Sequence, residues 1–269
     1  MQVFRGMDVG TAKPDRGTRE RFAYHMIDLA EPSEEFTVAE FRSIGTNVLD
    51  DIERSGRSVV IAGGSGLHFR SLVDPLVFPP TDERLRGQLE MTPIEDLRTE
   101  LLEADGLAGA AVDMANPRRV LRAVEIFRLS GLTPTERAGT KDAEAVRAYR
   151  PIRPFTAIGV DPGPILFSRI EERFDAMLDA GFMDEVIALA QTLGRTARQA
   201  VGYRELLGVV EDGMDLSVAR DLAIRATNAL AKRQRTFFRR DPRIRWIPWH
   251  HDAERMLVEV FNHREEGST

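Results

Sequence analysis

Four short apolar runs, rich in β-branched or aromatic residues, interrupt a chain that is otherwise patterned in helical periods. The first is SVVIA at residues 58–62, which the pattern predicts as a buried parallel strand that leads into a helix. Residues 155–160 and 244–249 are predicted strands as well. The second of these belongs at a sheet edge, because Pro248 cannot donate to a hydrogen-bond ladder. Residues 26–28 form a shorter predicted strand.

Helix signals fill the intervening stretches. Thr37 and Glu40 have the spacing of a capping box, and the apolar residues that follow recur at helical spacing until Gly56. Asn116, followed by a proline, predicts the start of another helix, and Gly131 its end.

The order of these signals predicts the organisation of the chain. Strand signals lie before and after a long stretch that is helical and polar throughout, which favours an α/β fold with an all-helical insertion. We place the first part of the α/β core at residues 1–78, the insertion at residues 79–150 and the second part, with a basic helix near its end, at residues 151–269.

Composition narrows the function classes. The chain of 269 residues has no cysteine, which excludes disulfides, cysteine nucleophiles and thiolate metal sites. No apolar run approaches the roughly 20 residues that cross a bilayer. The net charge of −6 is typical of an enzyme acting on small molecules, but the positive charges are unevenly placed.

The basic residues concentrate on two predicted helices. Between Arg225 and Arg245 there are eight basic residues and one acidic residue, Asp241. Five polar or basic residues there are spaced by three or four positions and line one helix face: Arg225, Asn228, Lys232, Arg235 and Arg239. A second cluster consists of Arg118, Arg119 and Arg122. Two such helices could follow a phosphate backbone, and each alone could equally be a solvated basic face.

Two further features carry candidate chemistry. GGSGLHF at residues 63–69 follows a predicted strand and opens a helix, so its backbone amides and the Ser65 hydroxyl suit an anion. The same glycines also fit a turn needed only for close packing. Asp8 and Asp161 lie beside turns, where both catalytic and turn-capping carboxylates occur. The chain contains no G-x-x-x-x-G-K-[ST] phosphate loop.

Several stretches occur in the order found in bacterial tRNA dimethylallyltransferases: MQVFRGMDVGTAKP, VVIAGGSGLHFRSLVD, NPRRVLRAVEIF and LAKRQRTFFR. The chain resembles that family from residue 1 to about residue 250. The resemblance implies a P-loop-kinase-like core and transfer of a dimethylallyl group from dimethylallyl diphosphate to N6 of the adenine next to the anticodon. It also implies Mg²⁺ as cofactor, the tRNA anticodon stem-loop as partner, and a monomeric cytoplasmic enzyme with no membrane attachment.

The resemblance also implies roles for individual residues. Those expected to contact tRNA are Gln2, Ser65, Arg118, Arg119, Arg122, Lys232, Arg233 and Gln234. Thr11 and Lys13 are expected to contact phosphate, and no metal ligand is assigned. The chain departs from the family pattern at Asn228, where relatives often have an arginine, and this removes one positive charge from the basic face.

The family's phosphate loop and its general-base aspartate are expected to correspond to positions upstream of Met1, through a mis-assigned start or a truncated gene. On that expectation no catalytic residue is retained within residues 1–269. The alternative to an enzyme of this family is a non-catalytic RNA-binding remnant, which needs the basic helices but no base.

Overall fold

A computed structural model describes residues 1–265, with side chains described as far as Phe261. It divides into two compact units. The core unit comprises Met1–Leu72 and the chain from Phe155 onward, and the inserted unit comprises Val73–Pro154. The domain boundaries expected from the sequence, at residues 79 and 150, remain a prediction.

The elements follow in chain order. The first helices are α1 (Arg16–Arg21), α2 (Val38–Arg54) and α3 (Gly66–Val73). Six helices follow in the inserted unit: α4 (Glu83–Glu90), α5 (Ile94–Ala104), α6 (Ala108–Ala111), α7 (Pro117–Ser130), α8 (Pro134–Ala138) and α9 (Lys141–Arg147). The chain then forms β1 (Ala157–Asp161), α10 (Leu166–Asp179), α11 (Phe182–Leu189), α12 (Arg195–Arg198), α13 (Tyr203–Asp212), α14 (Leu216–Phe238), β2 (Ile244–Pro248) and α15 (Ala253–Glu265).

The sheet of the described residues is small and parallel. β1 pairs with β2 in a register that sets Gly159 opposite Trp246. A Cβ atom on Gly159 would lie 2.7 Å from Cε3 of Trp246, so glycine is required for the indole to cover the strand. Both strands were predicted from their apolar runs, and both are confirmed.

Two predicted strands are wrong. Residues 58–62 are in no ladder, and Val60 is 90% exposed. A strand needs a neighbour for its backbone groups, and no strand lies beside this run in the described chain. Residues 26–28 bend instead, because Met26 and Asp28 have φ angles of 64° and 54°, in the left-handed region.

The predicted helix boundaries are largely confirmed. The Thr37 side chain accepts from the Glu40 backbone, and the Glu40 side chain accepts from the Thr37 backbone, which completes the capping box at α2. Helix α7 is capped by Asn116 and ends at Gly131, whose φ of 73° suits a residue without a Cβ atom.

Each unit has its own apolar core. The core unit packs Phe4 and Met7 with three side chains from α10, α11 and α13, namely Phe174, Phe182 and Tyr203. The inserted unit packs α4, α5 and α7 around five buried side chains: Leu89, Leu97, Leu101, Val120 and Val124. Within residues 1–265, no helix is both long enough and apolar enough to span a membrane.

Candidate functional site

The loop of residues 7–13 is held in place by one carboxylate. Glu185, in the first turn of α11, accepts hydrogen bonds from the backbone N–H groups of Asp8 (2.8 Å), Val9 (2.7 Å) and Gly10 (3.1 Å). It also accepts from the hydroxyl of Tyr203. One side chain therefore fixes three consecutive peptide groups of this loop.

The packing around Gly10 explains how the loop can approach α11 and α13 so closely. A Cβ atom there would lie 2.1 Å from Cε2 of Phe182 and 2.7 Å from Cε2 of Tyr203. Tyr203 is fully buried. Burial raises the pKa of the Tyr203 hydroxyl well above its ordinary value, and the Glu185 carboxylate that accepts its proton raises it further. Tyr203 therefore acts as a permanent hydrogen-bond donor.

Two of the expected site residues lie within this loop structure. The Gln2 side-chain amide donates to the carbonyl oxygens of Thr11 and Ala12, both at 3.0 Å. The Thr11 hydroxyl donates to the carbonyl oxygen of Met7 at 2.6 Å. The structure thus brings Gln2 and Thr11 together, and both side chains help to shape the loop.

Lys13 has a different environment from the one expected of a phosphate contact. Its side chain is 0% exposed, and its ammonium group donates to the Phe4 carbonyl (2.8 Å), Asp8 (2.5 Å) and Asp28 (2.7 Å). An ammonium group has three N–H donors, so all of them are used. Lys13 supports the loop from inside, and its expected phosphate contact stays a prediction.

The glycine turn at residues 63–66 packs against the C-terminal half of α14. A Cβ atom on Gly64 would lie 2.5 Å from Nε2 of Gln234, and a Cβ atom on Gly66 would meet the ring of Phe237 in the same way. The packing explanation of these glycines therefore holds for Gly64 and Gly66. Ser65 stays exposed, and its hydroxyl forms a 2.7 Å hydrogen bond with Nδ1 of His68.

Burial of His68 lowers the pKa of its imidazole below the ordinary value.

The basic face of α14 is partly neutralised. Arg235 and Arg239 each donate to Oδ2 of Asp161 at 2.9 Å. Lys232 and Arg233 are exposed, and neither has an ion-pair partner in the described part of the chain. The charge available to a ligand on this face is therefore smaller than the sequence indicates, because Arg235 and Arg239 are both paired with Asp161.

The two carboxylates considered as catalytic bases are both engaged. Asp8 pairs with the Lys13 ammonium. The backbone N–H of Gly163 holds the pKa of Asp161 below its usual value, and the two guanidinium groups lower it further. Asp161, stabilised as an anion in this way, is a weak proton acceptor.

In the inserted unit, the three arginines of the second basic cluster line an open cavity of about 600 Å³. Arg118 and Arg119 are exposed. Arg122 instead donates to the carbonyl oxygens of Pro79 (2.8 Å) and Pro80 (2.9 Å) and to the carboxylate of Glu125 (2.8 Å). The guanidinium of Arg122 is thus committed to the fold of this unit.

Among the described residues, no three histidine, aspartate or glutamate side chains lie together in a way that could hold a metal ion. The carboxylates of Asp8 and Asp28 near the loop are already paired with Lys13 and Arg19.

Sequence reasoning missed Glu185 and Tyr203. The loop residues that Glu185 holds lie 175 or more positions away from it in the chain, and no local sequence pattern extends that far. The one available signal is that Glu185 precedes the buried Val186 on a short amphipathic helix, where any polar residue would fit.

The IPP transferase family model matches residues 2–241. This chain belongs to the IPP transferase family.

Individual members of this family show the extent of the likeness. The tRNA dimethylallyltransferase of Parafrankia sp. is 38% identical over 268 residues, which cover 97% of this chain and 81% of that protein. The crystal structure of the full-length tRNA isopentenylpyrophosphate transferase from Bacillus halodurans is 30% identical, with a TM-score of 0.67, and the match covers 98% of this chain and 84% of that one.

A eukaryotic dimethylallyltransferase acting on tRNA is 21% identical, with a TM-score of 0.78 over 100% of this chain and 72% of that one, and it shares the fold. For this member of the IPP transferase family, the predicted α/β class is confirmed.

Proposed function

We propose that the protein is a tRNA dimethylallyltransferase, which transfers a dimethylallyl group from dimethylallyl diphosphate to N6 of the adenine next to the anticodon. The observation that carries the proposal is the family membership, which spans residues 2–241. Relatives with this name align over nearly the whole chain at 35–38% identity. A monomer in the cytoplasm is part of the same proposal.

The exposed cations of α14 support binding of an RNA backbone. Lys232 and Arg233 are free to contact phosphates, and Gln234 beside them packs on the turn that presents the Ser65 hydroxyl. We propose that these residues and Gln2 hold the anticodon stem-loop while the target base leaves its stack. The arginines of the inserted unit, Arg118 and Arg119, are proposed to contribute further phosphate contacts.

The chemistry needs two more groups. The exocyclic amine of adenine is a weak nucleophile, so the leaving diphosphate must be stabilised by donors and a base must accept the N6 proton. Asp8 and Asp161 are both held by cations, so we assign no base within residues 1–269. Mg²⁺ is proposed only as the cation that neutralises the diphosphate donor.

Titration of fluorescent tRNA with purified residues 1–269 tests the proposed binding surface. We expect an unmodified anticodon stem-loop to bind more tightly than a hairpin of scrambled sequence, with an affinity that falls as salt rises. Equal affinity for both hairpins would contradict the proposal.

The same preparation, supplied with dimethylallyl diphosphate and Mg²⁺, tests the assignment of the base. Modified adenosine, detected by mass spectrometry of the nucleosides, is the product that the proposed function predicts. Product from this polypeptide alone would show that a carboxylate within it accepts the proton, and Asp8→Asn and Asp161→Asn would then identify which one.

A further inference from the structure

Among the arginines that line the cavity of the inserted unit, one is not marked by the sequence motifs. Arg137 joins Arg118, Arg119 and Arg122 around the same open space of about 600 Å³. It lies on α8, a short helix that the sequence analysis did not predict separately. Four guanidinium groups therefore surround one cavity.

These four cations differ in how far their charge is compensated. Arg122 is bonded to Glu125 and to two backbone carbonyl groups. Arg119 lies 3.5 Å from the Asp113 carboxylate. The guanidinium groups of Arg118 and Arg137 have no hydrogen-bond or ion-pair partner in the described part of the chain. Two cations are thus left for a ligand.

The position of Arg137 is fixed by its helix. The Thr133 side chain caps α8, and the Asp105 carboxylate accepts hydrogen bonds from the backbone N–H (2.8 Å) and the hydroxyl (2.9 Å) of Thr135. Asp105 is itself 8% exposed. Arg137 is therefore presented from a short helix that a nearly buried carboxylate holds in place.

The electrostatics of the cavity favour an anion. Burial lowers the pKa of Arg137 from its ordinary value, and the neighbouring charge of Arg122 lowers it further, although the group stays charged at neutral pH. An anion between the guanidinium groups would relieve that repulsion. The backbone amides at the start of α7 do not compete for this role, because the Asn116 side chain accepts from the N–H groups of Arg118 and Arg119.

We propose that Arg137, together with Arg118, binds a phosphate group of the tRNA backbone in this cavity, while Arg122 only supports the wall. The inference rests on the proposed function and adds a contact to it. A guanidinium fork matches two phosphate oxygens, which a lysine at the same place could not do.

The test compares Arg137→Gln with Arg84→Gln, an exposed arginine of α4 that is outside the cavity lining and whose loss changes the net charge equally. tRNA affinity is measured by fluorescence anisotropy at several salt concentrations. We expect Arg137→Gln to weaken binding about tenfold and to lower the slope of log affinity against log salt by about 0.7 to 0.9, the value of one phosphate contact. We expect Arg137→Lys to keep the slope and lose part of the affinity.

Three outcomes are distinguishable. If the unsubstituted protein does not bind tRNA, the proposed function fails and this contact fails with it. If it binds tRNA but Arg137→Gln matches Arg84→Gln in affinity and slope, only the Arg137 contact is wrong. Titration of Arg137→Gln with inorganic pyrophosphate separates the two sources of phosphate, the tRNA backbone and the diphosphate donor. If Arg137→Gln binds pyrophosphate more weakly but keeps its tRNA affinity, the cavity belongs to the diphosphate donor and the proposal is overturned.

Discussion

Replacing Glu185 by glutamine should release the loop of residues 7–13 from the core unit. The carboxylate accepts two backbone N–H groups on Oε2, from Asp8 and Val9. It accepts the Gly10 N–H and the Tyr203 hydroxyl on Oε1. Glutamine has one acceptor oxygen, so in either orientation its NH₂ group faces two donors that have lost their acceptor.

The size of the effect follows from those two lost bonds. A hydrogen bond to a charged group contributes about 1.5 to 3 kcal/mol, and the low end applies here because Glu185 is half-buried. We therefore expect the free energy of unfolding of the core unit to fall by about 3 kcal/mol. The Tyr203 hydroxyl is buried and cannot turn to water for a new partner.

Urea unfolding followed by tryptophan fluorescence measures this directly, because both tryptophans, Trp246 and Trp249, lie in the core unit. Asp184→Asn is the matched control, since it changes an exposed carboxylate on the same helical turn. We expect the control to stay within about 0.5 kcal/mol of the unsubstituted protein. If Glu185→Gln does the same, the carboxylate does not hold the loop and the reasoning is refuted.

Three further predictions concern the basic helix, the Asp161 ion pairs and the inserted unit. Lys232→Glu with Arg233→Glu should weaken tRNA binding and flatten its salt dependence, and an unchanged salt slope would mark a solvated face. The lowered pKa of Asp161 stabilises the folded protein above the ordinary carboxyl pKa of 3.8, and this stabilisation is lost as the pH falls through the folded-state pKa. Urea titrations should therefore show Asp161→Asn approaching the unsubstituted protein in stability below pH 3.8. A difference in stability that does not change with pH would contradict this. The N–H of Ile152 donates to the carbonyl of Val73 at 2.8 Å, so a short glycine-serine linker can replace the segment between these two residues. We expect the core unit of this variant to stay folded, as measured by circular dichroism and tryptophan fluorescence, while its tRNA affinity falls. Unfolding would show that the core unit depends on the inserted unit.

The elements that could be predicted from the sequence are those specified locally. The caps at Thr37 and Asn116 each involve residues no more than three positions apart, and Gly131 supplies the left-handed conformation that ends α7. The strand predicted at residues 155–160 forms because the same chain supplies a partner strand, β2, with which it pairs.

The errors came from properties that depend on distant partners. The run at residues 58–62 has strand composition, but composition alone does not provide a neighbouring strand to pair with. The basic face of α14 was counted as free charge, because nothing near Arg235 or Arg239 in sequence shows that Asp161 will accept from both. The expected phosphate contact of Lys13 stays a prediction, and its pairing with Asp28, fifteen positions away, is a contact that the sequence does not reveal.

The most direct test of the proposed function is the nucleoside content of tRNA in the source organism after the gene is disrupted. Bulk tRNA is digested and N6-dimethylallyladenosine is quantified by mass spectrometry, with a strain carrying the restored gene as control. The proposal predicts that the modified nucleoside disappears on disruption and returns with the gene. Persistence of the nucleoside at its original level in the disrupted strain would contradict the assignment.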